Sequence, residues 1–196
     1  MARRLLSRGH EVTMVCGSYS GGVTGLTHPF SKGMRRGKVD GIEVIEFDLA
    51  YSNATSFLSR ALVFLRFVLK SAGLVFKEPY DIIFATSTPL TAGIPGVLAK
   101  WFKRKPFVFE VRDLWPELPK AMGVIKNKML LTILKGLEKL IYHSADQVIG
   151  LSPGIVEGIK SAGVWEQHIT LVPNGCDLSI FSEAPQAFRP DGVALS

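Results

Sequence analysis

Cysteine is almost absent from this 196-residue chain: only Cys16 and Cys176 occur, in unrelated settings. That excludes a disulfide-stapled framework and any paired-cysteine zinc or redox motif, and a reduced, cytoplasmic environment is the simplest reading. The four histidines (His10, His28, His143, His168) share no ligand spacing, so no metal site is expected. No apolar run reaches the roughly 20 residues needed to span a bilayer, and the longest helical run, 54–76, carries Arg60, Arg66 and Lys70 inside it. The opening residues Met1 to Arg8 have the arginines of a transit peptide but pass within three residues into a strand pattern, so they are read as part of the fold. Neither an internal repeat nor a low-complexity tract is present.

What remains is ordinary globular material with a basic surplus. Apolar residues make up 47% and charged residues 20%, close to the average for soluble domains, and the length suits one well-buried domain or two small ones. The net charge is +6, with a pI near 9.4. Such a balance suits an anionic partner, whether a phosphorylated substrate, an acidic membrane surface or a nucleic acid. Nucleic acid is the poorest of the three, because the basic residues are spread over several elements and no recognition-helix pattern appears.

Along the chain, helical and strand patterns alternate. Ala2 to Arg8 reads as a short helix ending at Gly9, whose missing Cβ suits a left-handed cap, and Glu11 to Cys16 as a buried strand. Gly17 to Gly37 reads as a loop ending in the basic cluster Lys32, Arg35, Arg36 and Lys38. Ile42 to Leu49 alternates apolar and acidic residues, as an exposed or edge strand does. The run 54–76 reads as a helix, with Leu58, Leu62, Leu65, Leu69 and Phe76 as the side that lies on the sheet. Its opposite side gathers Ser59, Arg66, Lys70 and Lys77 within about 40° at 100° per residue, with Arg60 further round. Val63, Phe67 and Leu74 fall in that basic sector, and this mixture suits either a helix lying on an anionic membrane or packing against another part of a larger protein. Strands are further expected at 81–86, 106–111, 147–151 and 169–172. Helices are expected at 91–103, at 128–143, and from Ser152-Pro153 to near Gly163, the last with a serine N-cap and proline at N1. This alternation predicts an α/β fold, a doubly wound parallel sheet with right-handed crossovers.

The stretch Phe109 to Pro116 stands out in that frame. It sets Glu110, Arg112 and Asp113 at the end of an apolar strand, where open parallel sheets form their ligand crevice. Glu110 and Arg112, two residues apart, fall on one side of the strand and suit either substrate contact or a local ion pair. Ser87-Thr88-Pro89 follows the preceding strand, so its backbone N–H groups either favour an anion or only cap a helix.

Three stretches in sequence carry a resemblance to a known family: Ser7 to Val15, Phe109 to Glu117, and Val172 to Leu178 (Val-Pro-Asn-Gly-Cys-Asp-Leu). In order and spacing the chain resembles the N-terminal, Rossmann-like domain of family-4 glycosyltransferases of the two-domain GT-B architecture. Phe109 to Glu117 is similar to a signature of the bacterial surface-polysaccharide branch that includes N-acetylfucosamine transferases. The resemblance implies transfer from a nucleotide-sugar with retention of configuration and no required metal or other cofactor. It implies an acceptor resembling an undecaprenyl-diphosphate-linked sugar, met peripherally at the inner, cytoplasmic face of the bacterial plasma membrane. It implies that residues 1–181 form the acceptor-side domain and 182–196 an interdomain linker. A first strand with a Gly-rich loop is expected before Met1 and a donor-binding domain after Ser196, so transfer by this chain alone is not expected.

The candidate site follows. Where the family at large often has His-Asp, this chain has Arg112-Asp113, as in the polysaccharide branch. Arginine cannot act as a base near neutrality but can hold a phosphate or carboxylate bidentately. Asp113 can accept a hydrogen bond from an acceptor hydroxyl or help deprotonate it. The alternative is an Arg–Asp pair that only shapes the loop. Trp115 suits stacking on a sugar ring or core packing, and Glu117 flanks the motif with Glu110. Ser87, Thr88, Arg35 and Arg36 complete the expected substrate contacts, the arginines toward the lipid diphosphate. Asn174, Gly175 and Asp177 match the segment leading to the interdomain hinge, although Asn-Gly is also a common turn. A binding module for anionic lipid or nucleotide without catalysis is the alternative. A flavodoxin-like protein would need a phosphate loop, for which Cys16 to Gly22 is a weak candidate.

Overall fold

Asp40 and Gly41 organise the first half of the fold, because both adopt positive φ (50° and 80°) in a two-residue turn. This is the geometry whose twist matches a right-handed β-hairpin, and Asp-Gly is among its preferred sequences. The computed structural model describes residues 1–19, 22–51, 57–87 and 89–175. In chain order these form α1 (Ala2–Leu6), β1 (Thr13–Tyr19), β2 (Met34–Val39), β3 (Ile42–Tyr51), α2 (Phe57–Lys77) and β4 (Ile83–Thr86). There follow a helical stretch containing α3 (Ile94–Leu98), then β5 (Phe107–Val111), α4 (Glu117–Ala121), α5 (Lys128–Ser144), β6 (Gln147–Gly150), α6 (Pro153–Ser161) and β7 (Ile169–Leu171).

The strands form two sheets. One has the order β1-β3-β2, with β1 parallel and β2 antiparallel to β3; the other is the all-parallel β4-β5-β6-β7. The fold is therefore α/β with a parallel sheet flanked by helices, as the alternation predicts. Four details differ. Residues 34–39, read as the end of a long loop, are a strand, because the Asp40-Gly41 turn folds them back onto β3. β3 is a central strand, with Val44, Ile45, Glu46 and Phe47 all buried, so its alternating acids do not mark an exposed edge. Cys16 to Tyr19, weighed as the start of a phosphate loop, continue β1.

The fourth difference is the orientation of α2. Val63, Phe67 and Leu74 pack against Ile45, Phe47 and Leu49 of β3, with Val68 and Val75 buried beside them, while Leu62, Leu65, Leu69 and Phe76 are exposed. The leucine side was expected on the sheet and instead faces outward. α2 is apolar on both sides, so hydrophobic count alone does not choose a face. Lys70 sits on the packed side because its long stem lets the ammonium reach the Gly33 carbonyl at 3.0 Å while lying 5.4 Å from the Phe47 ring centre. A cation on a flexible stem does not require its helix face to be wet.

The main core forms around β5, where Phe107, Phe109 and Val111 are fully buried and meet Val97, Ile141, Tyr142, Val148 and Ile159. Gly96 lets α3 approach β5 closely: a Cβ there would lie 2.1 Å from the Phe107 ring. That ring has nowhere to move. Gly96→Ala is therefore expected to lower stability by about 1–3 kcal/mol, the usual cost of overpacking a core, read as a lower denaturant midpoint with an unchanged slope.

Candidate functional site

β5 carries its polarity in alternation, so Glu110 stands between two fully buried residues on the other face of the strand. Thr86, at the end of β4, is its register partner, and the Thr86 hydroxyl donates to Glu110 Oε2 at 2.6 Å. Past the last residue of β5, Arg112 turns back toward the same carboxylate, with Nε 3.4 Å from Glu110 Oε2. The sequence reading that these two share a side is met, and they form the local ion pair. The Arg112 side chain nevertheless remains 54% exposed.

Ser87 fixes this loop. Its side chain is 2% exposed, its N–H donates to the Glu110 carbonyl at 2.8 Å, and its hydroxyl accepts from the N–H of Arg112 at 2.8 Å and of Asp113 at 3.5 Å. Asp113 is half-buried next to it. Trp115 is half-buried and packs against the main core. Glu117, at the start of α4, is ion-paired with Lys135 of α5 at 2.9 Å. The structure thus gathers Ser87, Glu110, Arg112 and Asp113 at the carboxyl ends of β4 and β5, with Trp115 and Glu117 leading away along the same segment.

The other expected site residues lie elsewhere. Arg35 is on β2, where its guanidinium makes two hydrogen bonds to the Glu46 carboxylate at 2.9 and 3.0 Å and covers the Phe30 ring at 4.5 Å. Glu46 also accepts from the Thr24 hydroxyl. Arg36, on the same strand, forks onto Glu78 at 2.8 and 3.0 Å and meets Glu43, tying β2 to the end of α2. Both arginines are held on a strand by carboxylates, not displayed on a basic loop. Asn174 and Gly175 are exposed beyond β7; Thr88 and Asp177 lie outside the described residues. Among the described residues no three or more His, Cys, Asp or Glu side chains gather as a metal site. The Cys16 thiol is pushed up to about 11 by burial and by the charge of Glu46, which leaves it protonated and unreactive near neutrality. A concavity of about 340 Å³ lies against the three-stranded sheet, lined by Met14, Cys16, Val23, Val39 and Val44 among others, and includes none of Ser87, Glu110, Arg112 and Asp113.

One group escaped the sequence reading. Glu138 is buried on α5, and its carboxyl is pushed up to about 7, first by burial and then by the charge of Glu117, against a lowering influence of the Tyr142 hydroxyl. Its signal was a carboxylate one helical turn before a tyrosine on the face that carries Ile141 and Leu137, an i,i+4 pair.

The described fold is that of an α/β domain with a four-stranded parallel sheet flanked by helices. Residues 1–175 match the family described as the glycosyl transferase 4-like domain, and the chain belongs to that family. Among solved structures it is similar to Anabaena Alr3699/HepE in complex with UDP, at 18% identity and a TM-score of 0.42 over 69% of this chain and 33% of that one. It is similar also to the same protein in complex with UDP-glucose, at 20% identity and a TM-score of 0.42 over 69% and 32%. The chain thus spans about a third of the length of the solved structures it matches. None of the curated proteins matches.

Two outcomes test this description. Ser87→Ala strips the acceptor from two N–H groups at the loop and is expected to cost about 1–3 kcal/mol, measured by urea unfolding. Glu138, with its folded pKa raised above the unfolded value, favours the folded state fully below about pH 4.5 and loses that contribution as pH rises to about 7. Glu138→Gln is therefore expected to exceed the parent in stability at pH 8 and to match it near pH 4.5, read from denaturant midpoints across that range. A constant difference at all pH values would contradict the assignment.

Proposed function

We propose that this chain is the acceptor-side half of a retaining, nucleotide-sugar-dependent glycosyltransferase of cell-surface polysaccharide synthesis. The observation that carries the reading is the geometry at the end of β5. A half-exposed guanidinium, oriented by one carboxylate and backed by a loop pinned through a buried serine, is a preformed holder for an anionic group. In this reading Arg112 holds the diphosphate of a lipid-linked sugar acceptor and Asp113 accepts the hydrogen bond of the hydroxyl that attacks. Glu110 keeps the Arg112 fork in place, and Trp115 and Glu117 border the sugar. The finer assignment to the aminosugar-transferring, N-acetylfucosamine-type branch is supported by the Arg112-Asp113 pair within Phe109 to Glu117. Donor binding belongs to a second domain of the two-domain architecture, entered past Asn174 and Gly175. The chemistry as proposed needs no metal or cofactor, and the enzyme works at the cytoplasmic face of the membrane, where lipid-linked acceptors are presented.

The reading is tested by calorimetric titration with a water-soluble, short-prenyl diphosphate-linked N-acetylhexosamine. Binding is expected, weakened about tenfold or more (about 1.4 kcal/mol per tenfold) by Arg112→Ala and less by Arg112→Lys, which keeps the charge without the fork. Unchanged binding by Arg112→Ala would remove the assigned role. Radiolabelled UDP- and GDP-hexosamines are expected to give no transfer with this chain alone, and turnover would overturn the division between two domains.

A further inference from the structure

The 21 residues of α2 contain four cations and no acid. Its sheet side is settled by Val63, Phe67 and Leu74 on β3. Opposite them, Leu62, Leu65, Leu69 and Phe76 fall within about 60° of one another at 100° per residue, and each is exposed, Leu62 and Leu69 at 57% and 65%. The patch continues across the fold. Phe76 meets Phe102 edge-on at 6.2 Å between ring centres, and Phe102 and its neighbour Trp101 are themselves 66% and 56% exposed. Six large apolar side chains side by side are more than a monomer surface ordinarily leaves in water, and such patches mark interaction sites.

The charges around the patch specify what covers it. Arg66 and Lys77 flank the stripe on α2, and Lys103 and Arg104 follow Phe102; all four are exposed, and none is ion-paired among the described residues. The nearby acids are already taken, Glu78 by Arg36 and Asp81 by Lys105. A covering surface must therefore be apolar and carry negative charge. A second copy docked symmetrically would set these cations against their own kind, since a two-fold interface brings the same patch from both sides. An anionic phospholipid surface meets both demands, with acyl chains for the leucines and headgroups for the cations. No helix among the described residues is long and apolar enough to cross a membrane, and α2, about 30 Å long at 1.5 Å per residue, would lie along the surface.

We infer that the outward face of α2, continued by Trp101 and Phe102, docks on an anionic bilayer with Arg66, Lys77, Lys103 and Arg104 at the headgroups. The inference deepens the function proposed above by naming the face that meets the lipid, and its observations are independent of the β5 crevice.

Cosedimentation with phosphatidylcholine vesicles, with and without 30% phosphatidylglycerol, tests it, because these vesicles contain no sugar acceptor. The chain is expected to pellet with the anionic vesicles at least tenfold more than with neutral ones, and less as salt rises. Leu62→Ser/Leu65→Ser/Leu69→Ser, on residues outside the core, is expected to abolish pelleting with an unchanged circular dichroism spectrum. Lys103→Ala/Arg104→Ala is expected to weaken it and flatten the salt dependence. Equal pelleting by the triple variant, or no preference for anionic vesicles, would overturn the inference. So would a concentration-dependent dimer in sedimentation velocity that the triple variant abolishes without any vesicle binding. Failure here with intact diphosphate-sugar binding would remove the docking face alone; the reverse result would remove the acceptor role alone.

Discussion

Ser87 joins the ends of two parallel strands through three hydrogen bonds, and the course of the loop after β5 depends on it. Beyond the last rung of a parallel ladder, backbone N–H groups have no strand to donate to, and a buried orphan costs more than a hydrogen bond usually gains. At β5 those groups belong to Arg112 and Asp113, and the Ser87 hydroxyl accepts both. With the backbone satisfied, the loop is held at the strand end without drawing on the Arg112 guanidinium. Arg112 needs only one of its donor sites to meet Glu110, and Glu110 is itself steadied by Thr86. The order of support runs from buried to exposed: serine, glutamate, arginine. Each step fixes the next one and leaves the outermost group free to meet a ligand.

The second half of the fold was legible because its signals are local and agree with one another. β5 reads as Phe-Val-Phe-Glu-Val and becomes a strand buried at every second residue. Ser152-Pro153 reads as a helix start, and the Ser152 hydroxyl accepts from the Ile155 N–H. The crevice residues were legible for a related reason: charges at the end of an apolar strand in a parallel sheet leave few alternatives. From sequence, Ser87 reads only as a member of a loop that either faces an anion or caps a helix. That its hydroxyl would turn inward to a loop 25 residues away in sequence is a tertiary fact, with no local pattern to announce it.

The first half was less legible. The Val39-Asp40-Gly41-Ile42 turn was in plain view as a hairpin signal, but Met34 to Val39 is so basic that it reads as loop. Only the carboxylates it meets, Glu46, Glu43 and Glu78, make a strand of that composition tolerable. The face of α2 was undecidable for a different reason. Sectors of leucine and of phenylalanine with valine compete on one helix, and periodicity measures amphipathicity only where one side is polar. Val63, Phe67 and Leu74 of the second sector fit β3, and Leu62, Leu65, Leu69 and Phe76 are left outside.

The same reassignment changes what the net charge of +6 means. A formal surplus spread evenly over a surface would be a weak attractor for any anion. In the folded chain, however, many cations are neutralised locally: Arg35 by Glu46, Arg36 by Glu43 and Glu78, Lys100 by Asp146, Lys135 by Glu117 and Lys160 by Glu157 and Glu166. Arg36 engages both Glu43 and Glu78, and its fork onto Glu78 draws that acid away from the neighbourhood of the α2 stripe. The ion pairs of the hairpin therefore do more than secure an edge strand. By binding the acids closest to α2 they leave its outward face, and the turn after Phe102, with cations that meet no carboxylate of their own. Charges that are unpaired and adjacent to exposed leucines act together at one surface, where water excluded by the apolar groups strengthens each electrostatic contact. The surplus visible in the sequence becomes directional only because the fold places its compensating acids elsewhere.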